Sequence, residues 1–436
     1  MCWLLLWAGI NTGPGNLDLD LMEKSAANLF NGLRAAFPIV VLLVWPVRVL
    51  LRKQPIIRRF TWPEALWLYY GLICIVASIY AGPWFDFAYW GFAYLSAFAA
   101  TEMYMEASST PDRAASLNRL NWIFGVVVLA TVVWVARDQL LDETSTGMSG
   151  YGVSNRLPTV AGIPMVRASG VSRLAAIPAI VSFVFLLNGR GVSRLLWICC
   201  FVPTAYLVWV MQSRGSLVSF AVALIFVTIL MESKRRYVSL LAALVVLIVY
   251  VGGFIPEQAI HTLWLHATRG TRGQQLVSMS GRTSIFDDAW RLVNEAPLIG
   301  YGPQADRRVL TIVPNAQNAI LYALLCSGFI GGAGFVGGLL ISWVLLARAL
   351  SCQHRMTRSE RTTLLQVAGV LAFMTMRSFP ENCGALFSVD LLFQLPVMVY
   401  LGESERAYRR RVEAQARRIA LNRTGQYPHG SLNFSD

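Results

Sequence analysis

Long runs of apolar residues recur along nearly the whole chain and are separated by short polar segments. Each run is about 17–25 residues long, which an α-helix needs to cross a bilayer core of roughly 30 Å. The strands of a membrane barrel would instead show segments of about ten residues with alternating polarity. The sequence shows no such segments. The pattern therefore predicts an all-α protein that crosses the membrane many times.

About eleven membrane-spanning helices are predicted, and a twelfth if apolar residues 1–10 are the end of a helix that starts upstream of this Met1. Glycine is frequent between residues 328 and 338 of the ninth run, so a kink or a break is expected there. The approximate bounds are 29–47, 63–81, 85–104, 120–136, 174–187, 195–211, 216–231, 237–254, 318–346, 363–376 and 386–401.

Basic residues are concentrated in loops that fall on one side of the membrane if the spans alternate. They lie in residues 48–59, 190–194, 234–236 and 348–361 and in the tail 406–423. Because cytoplasmic loops carry the excess of Lys and Arg, this side is predicted to be cytoplasmic. We therefore expect a transmembrane bundle over residues 1–402 and a basic cytoplasmic tail over residues 403–436.

The composition agrees with this interpretation, since 56% of the residues are hydrophobic and only 14% are charged. The net charge of +13 does not indicate nucleic-acid binding, because the cations lie in the loops between apolar runs. The seven cysteines show neither a CxxC pair nor a Cys/His spacing, so the sequence predicts no metal site and no disulfide framework.

Two long loops are predicted on the opposite, outward side, at residues 137–173 and 256–317. The second loop is too long to be a simple connector. Within it, residues 284–295 have the period of an amphipathic helix, with Ser284 as a candidate N-cap and Pro297 and Gly300 after its end. The predicted apolar face contains Ile285, Phe286, Ala289, Trp290, Leu292 and Val293.

Isolated cations at the outward edges of the spans are the main candidates for a functional site. Burying such a residue is costly unless it is paired or functional. One alternative is that each is an interfacial arginine whose side chain reaches lipid headgroups. As a cluster, however, guanidinium groups suit a diphosphate, because each can bind two phosphate oxygens. Four of these cations come from different loops: Arg167, Arg173, Arg214 and Arg282.

Three motifs follow one another in this region. Ser213-Arg214-Gly215 lies at a junction of two spans, and Gly281-Arg282 and Trp290 lead to the sequence Asn-Glu-Ala-Pro-Leu-Ile-Gly-Tyr-Gly at 294–302. Asn318 is then followed by Gly328 and Gly331. In this order and spacing the motifs resemble the O-antigen ligase and O-antigen polymerase superfamily of membrane glycosyltransferases. The resemblance covers about residues 200–340 in motif and the whole chain in topology.

The resemblance implies a helical bundle in the bacterial inner membrane with a periplasmic active face. It implies an undecaprenyl-diphosphate-linked glycan as partner, with membrane lipid and a chain-length regulator or other polysaccharide-assembly proteins as further partners. Neither a metal nor another cofactor is implied. The candidate catalytic residues are Arg214, Arg282, Gln317 and Glu381, and the candidate substrate-binding residues are Arg167, Arg173, Asn318 and Arg291; the resemblance itself bears on Arg214, Arg282, Asn318 and the position of Gln317.

One position departs from the pattern of the family. The ligases of the family have a histidine before the Asn318 position, where it is thought to act as the base, whereas this chain has Gln317. A carboxamide can orient a hydroxyl group but has no useful basicity. Among the other candidates Glu381 is the first to test, because it lies beside Arg377 at an outward edge. The candidate bases on the outward face are His261, His266, Asp288 and Glu381.

The substitution favours a polymerase, which joins repeat units on undecaprenyl diphosphate, over an O-antigen ligase, which moves the finished glycan to lipid A–core. A flippase for the same lipid-linked sugars is a third hypothesis. It is less favoured because the outward arginines are grouped at one surface and the two halves of the chain show no repeat.

Overall fold

The computed structural model describes residues 1–9, 24–52, 59–80, 84–105, 110–135, 168–189, 191–211, 213–231, 282–311 and 315–423. This part of the chain contains thirteen α-helices and no strand. The all-α prediction is therefore confirmed. The helices are α1 (Cys2–Gly9), α2 (Lys24–Arg52), α3 (Trp62–Ser78), α4 (Trp84–Met105), α5 (Pro111–Val135), α6 (Ala168–Asn188), α7 (Val192–Val210), α8 (Arg214–Leu230), α9 (Arg282–Glu295), α10 (Asp306–Val309), α11 (Ala319–Ser351), α12 (Arg358–Arg377) and α13 (Val389–Arg423).

Several helices are long and apolar enough to cross a membrane. By length and composition these are Pro111–Trp134, Ser169–Asn188, Val192–Val210 and Ala319–Ser351, and the apolar helices Ala35–Leu51 and Arg214–Leu230 are shorter. The chain is thus an all-α polytopic membrane protein. Each predicted span coincides with a helix except residues 237–254, which lie outside the described residues. The total of eleven or twelve spans stays a prediction.

α12 runs from Arg358 to Arg377, and these two residues mark the two ends of the bundle. We call the end at Arg358 the basic end and the opposite end the Arg377 end. At the basic end Arg358 donates to the carbonyl of Asn188, where α6 stops. Arg348, near the end of α11, lies 3.5 Å from Glu405 of α13. The basic segments that follow α6 and α11 therefore lie at one end, as the charge pattern predicts.

The last helix is longer than its apolar run. α13 passes residue 402 without a break and continues to Arg423. Glu403 is buried there and accepts a hydrogen bond from Arg406 at 2.8 Å, and Arg406 also donates to the carbonyl of Phe60. The basic tail therefore begins as a helical extension that packs against the bundle.

α11 is kinked, as its glycines predict. Gly328 has φ 59° and ψ −165°, which interrupts the helical hydrogen bonds on both sides. The freed carbonyl of Leu325 accepts the amide of Tyr301 at 2.8 Å, and the freed amide of Phe329 donates to the carbonyl of Pro297 at 2.7 Å. These bonds matter because leaving a backbone group unpaired inside a membrane costs roughly several kcal/mol of free energy. The segment after α9 thus completes the broken helix.

Candidate functional site

A cluster of charged side chains is enclosed at the Arg377 end of the bundle. Arg377 is only 2% exposed, and its guanidinium lies 3.8 Å from Glu381 Oε1 and 3.9 Å from Asp390 Oδ1. Arg173 of α6 donates to Asp390 Oδ2 at 2.7 Å. We call these four residues the Arg377 cluster. It joins the beginnings of α6 and α13 to the end of α12.

Hydrogen bonding in the Arg377 cluster is incomplete. Among the described residues, Nε of Arg377, Nε of Arg173 and Oδ1 of Asp390 are buried without a hydrogen-bond partner. Burying a charged group costs roughly several kcal/mol in lost hydration. Buried charged groups therefore normally have all their hydrogen bonds. Nε of Arg377 and Oδ1 of Asp390 lie 3.9 Å apart, too far for a hydrogen bond, and Nε of Arg173 is a further donor without a partner. The cluster therefore has the features of a functional site as well as those of a structural ion pair.

The Ser213-Arg214-Gly215 motif starts α8 directly against the end of α12. Ser216 in the first turn of α8 accepts a hydrogen bond from Arg377, and its hydroxyl lies 3.1 Å from the hydroxyl of Ser213. A side chain at Gly215 would come within 2.9 Å of Pro380, so this close approach requires glycine. The packing places half-buried Arg214 beside the loop that carries Glu381.

Asn318 connects α11 to the same loop. Its side-chain oxygen caps the helix by accepting the amides of Ile320 and Leu321 at 2.9 and 3.0 Å. Its side-chain nitrogen donates to the carbonyl of Phe379 at 3.3 Å, and its backbone amide donates to Asn382 Oδ1 at 3.1 Å. The loop 378–382 is thus the meeting point of α8, α11 and the Arg377 cluster, and it brings Arg214, Asn318 and Glu381 into one region.

Gln317 has an unusual backbone. Its φ is 50°, in the left-handed region that costs a non-glycine residue roughly 1–2 kcal/mol. The amide of Gln317 donates to Asn315 Oδ1 at 3.0 Å, which holds the turn. Retained strain of this kind is common at functional positions. The turn presents a half-buried carboxamide at the position that the family pattern gives to the base.

Asp306 is a site residue that sequence reasoning missed. This nearly buried carboxylate accepts the amide of Ala316 at 3.3 Å and the side chain of Asn382 at 3.2 Å, so it supports the turn before Asn318 and the loop after α12. Burial raises the pKa of Asp306 to about 6. A lone aspartate among loop residues gave no sequence signal, because its partners are remote in the chain or are backbone groups.

The amphipathic helix in the long loop is confirmed as α9. Ile285, Ala289, Leu292 and Val293 of its predicted apolar face are buried, whereas Trp290 is about half exposed and its ring lies nearly perpendicular to that of Phe329. The predicted N-cap is wrong, because α9 begins at Arg282 rather than after Ser284. Serine is accepted within a first helical turn, so this residue marks the helix start only to within about two positions.

Charged residues on the outer face of α9 pair mainly with one another. Arg291 donates to Glu295 and, at 3.0 Å, to Asp288. Asp288 also accepts the amide and the hydroxyl of Thr311, each at 3.1 Å. The hydrogen bonds from Arg291 and Thr311 lower the pKa of Asp288. Asp288 is therefore a weak candidate base, and Arg291 is engaged within its own helix.

The motif at 294–302 docks into the kink of α11. A side chain at Gly300 would come within 2.5 Å of the carbonyl of Leu325, and one at Gly328 would come within 2.3 Å of the carbonyl of Leu298. Both glycines have positive φ, of 73° and 59°. Only glycine fits two backbones this close. This motif therefore has a clear structural role, which is to hold α9 and the kinked helix together.

The remaining predicted site residues lie at the edge of a described segment or outside the described residues. Arg282 is the first residue of α9. Arg167, His261 and His266 lie outside the described residues. Among the residues that the structure does describe, no group of three His, Cys, Asp or Glu side chains could hold a metal ion.

Part of this region matches a known protein family. Residues 198–336 match the family model described as O-antigen ligase. The matched interval includes the start of α8, all of α9, the docked motif at 294–302 and the kink at Gly328. No match was found among curated proteins. The family match and the motifs agree, so residues 198–336 are similar to the O-antigen ligase family and support the resemblance to the superfamily of O-antigen ligases and O-antigen polymerases.

Proposed function

We propose that the protein polymerises undecaprenyl-diphosphate-linked oligosaccharide repeat units into O-antigen or exopolysaccharide at the periplasmic face of the bacterial inner membrane. The observation that carries the proposal is the position of the Arg377 cluster. The cluster contacts the first turn of α8 through Ser216 and lies near Arg214 and Asn318, and these last two residues lie within the matched family interval. Cationic donors enclosed at one end of a membrane bundle suit a lipid-linked diphosphate.

The proposed reaction is a glycosyl transfer with inversion. A hydroxyl oxygen of the acceptor sugar attacks the anomeric carbon of the donor, and the bond from that carbon to the diphosphate oxygen breaks. Undecaprenyl diphosphate leaves with the bonding electron pair, and the hydroxyl proton passes to a base. Arg214 and Arg282 bind the departing diphosphate and stabilise its developing charge.

Glu381 is the proposed base. Its side chain is 33% exposed, so a carboxylate oxygen can meet an acceptor hydroxyl, and its partner Arg377 holds it at the site. Asp288 is less suitable because Arg291 and Thr311 already bind its oxygens. Gln317 and Asn318 then orient the acceptor rather than take its proton, since a carboxamide is not basic.

An O-antigen ligase that transfers the finished glycan to lipid A–core is the second candidate function. The description of the matched family model favours it. Gln317 favours the polymerase, because the ligases that the motifs resemble have a basic histidine there. A flippase has less support, since the Arg377 cluster lies at one end of the bundle rather than along a central pore.

The site can be tested in cells with Arg214→Ala and Arg282→Ala, and with Arg348→Ala at the basic end as the matched control. Insertion and abundance are checked in isolated membranes. We expect both site variants to lose long-chain polymer and the control to keep it. Full-length polymer from both normally inserted site variants would contradict the proposal.

A deletion strain separates the polymerase from the ligase. Loss of long chains with single repeat units still attached to the core is the result expected for a polymerase. Loss of all surface glycan, with polymer accumulating on undecaprenyl diphosphate, would instead establish the ligase. Both profiles are read from the same gel of extracted polysaccharide.

A further inference from the structure

A cleft of about 650 Å³ opens at the basic end, far from the Arg377 cluster. Residues of α5, α6, α7 and α12 line it, including the cations Arg119 and Arg358 and the hydroxyl of Thr363. None of the described residues that line the cleft is acidic. Its charge is therefore positive, and the glycosyl transfer proposed for the opposite end does not use it.

Arg119 is the more informative of the two cations. It is exposed in the third turn of α5, a candidate membrane span, and it forms no hydrogen bond or ion pair with any residue that the structure describes. Asn118 beside it donates to the carbonyl of Pro396 in α13, which fixes the start of α5 toward the basic end. An unpaired arginine that lines a cleft at the end of a membrane helix is free to bind an anion from outside the chain.

Gln366 supplies a second, independent sign of a ligand. It lies in the third turn of α12, about 12 Å from the helix start, a depth similar to that of Arg119. The residue is only 8% exposed, and its Nε2 has no hydrogen-bond partner among the described residues. A buried amide donor without a partner is uncommon, and here it lines the same cleft as Arg119.

The cleft also has an aromatic part of its wall, formed by α6 and α7 next to an exposed apolar helix face. Phe185 and Trp197 are stacked with their ring centroids 4.2 Å apart. α7 packs on α6 but leaves Leu195 and Leu196 about as exposed as surface residues, at 61% and 62%. A ligand that fits must therefore carry an anionic group at one end and a hydrocarbon chain at the other.

We propose that this cleft binds one anionic phospholipid from the membrane leaflet at the basic end. The phosphate lies between Arg119 and Arg358, and the amide of Gln366 donates to a headgroup or glycerol oxygen. An acyl chain follows Phe185 and Trp197 toward the exposed face of α7. Basic pockets between transmembrane helices bind anionic headgroups by the same charge complementarity.

The test measures lipid binding to the purified full-length protein by native mass spectrometry, with dioleoyl-phosphatidylglycerol and dioleoyl-phosphatidylcholine as probes. We expect one phosphatidylglycerol to stay bound under conditions that strip phosphatidylcholine. Arg119→Gln should weaken phosphatidylglycerol binding about tenfold, because a charge-assisted contact is lost. Gln366→Met, of similar size, should weaken it less. Arg194→Gln is the matched control, since Arg194 is an exposed cation of α7 that does not line the cleft.

Three outcomes would overturn the proposal. The first is equal retention of phosphatidylglycerol by the Arg119→Gln variant and the unmodified protein, and the second is an equal loss in the Arg194→Gln control, which would indicate general surface attraction. The third is binding of soluble glycerol 3-phosphate as tightly as the lipid, which would make the cleft a site for a free phosphate. Thermal unfolding of each variant shows that the folds are comparable.

Discussion

The two ends of the helical bundle place arginine in opposite surroundings. At the basic end the side chains of Arg348 and Arg409 are 57% and 64% exposed, and each lies close to Glu405. At the other end Arg377 and Arg173 are 2% and 15% exposed. Both ends contain ion pairs, but the cations paired with Glu405 are in water, whereas those of the Arg377 cluster are buried.

This difference in burial separates two reasons for having arginine in a membrane protein. Exposed pairs are worth about 0–1 kcal/mol and need no function beyond orienting the chain in the membrane. A buried ion costs roughly several kcal/mol to dehydrate, so a protein that keeps one has a structural or functional use for it. Among the described cations it is therefore burial, rather than number, that points to the Arg377 end as the site.

The largest expected effect comes from removing the buried cation. Arg377→Leu leaves Glu381 without its partner in the Arg377 cluster and Asp390 with Arg173 alone. We expect a loss of about 3–5 kcal/mol in the free energy of unfolding, as for other broken buried pairs. Arg409→Leu at the basic end is the control and should cost less than about 1 kcal/mol. Similar losses in the two variants, measured by denaturant titration in detergent, would remove the distinction between the ends.

The next largest effect on stability is expected at the kink of α11, the helix that joins the two ends. Gly328→Ala should destabilise the protein by about 2–4 kcal/mol, because φ is positive and the new Cβ would lie 2.3 Å from the backbone of Leu298. Gly337→Ala in the same helix is the matched control. Its Cβ would meet only Leu66 Cδ1 at 3.4 Å, so this change should be neutral or stabilise by up to about 1 kcal/mol.

The measurement is the thermal unfolding of both variants under one set of conditions. Opposite signs for the two glycines would show that the kink, rather than helix propensity, determines the requirement at residue 328. A neutral Gly328→Ala variant would mean that the docked segment 297–302 adapts easily.

Sequence patterns predicted most of this architecture for physical reasons that are local. Apolar runs locate spans because a membrane forces every backbone group into a helix. The glycines of α11 and the periodicity of α9 predicted a kink and an amphipathic helix, both confirmed. The continuation of α13 to Arg423 was not predicted, because its stabilising contacts, such as Arg406 with Phe60, are remote in sequence.

The site was less predictable from the sequence than the fold. Glu381 beside Arg377 followed from their spacing of four residues, whereas Asp390 and Asp306 depend on partners from other helices and loops. Arg291 shows a contact that the sequence pattern did not reveal. A charge on the outward side was proposed to bind substrate, but two carboxylates of its own helix engage it. Its substrate-binding role stays a prediction.

A smaller effect is expected on the pH dependence of stability, and it comes from a carboxylate at the Arg377 end. Because the pKa of Asp306 is raised by burial from 3.8 to about 6, the folded protein binds this proton more tightly than the unfolded chain does. Stability should therefore fall as pH rises from about 4 to 6, by up to about 3 kcal/mol from this group. Asp306→Asn should abolish this contribution. Identical pH profiles of thermal unfolding for the variant and the unmodified protein would contradict it.

One reaction tests the central claim that the Arg377 end carries the glycosyl transfer. The purified protein in lipid is given undecaprenyl-diphosphate-linked repeat units, and the products are separated by length. We expect a lengthening glycan ladder from the unmodified protein and from Arg348→Ala at the basic end. The Arg214→Ala variant should be at least about 100-fold slower, the usual loss when a donor to a developing negative charge is removed. An equally fast ladder from Arg214→Ala, or lipid that is moved across the membrane without being lengthened, would contradict the account.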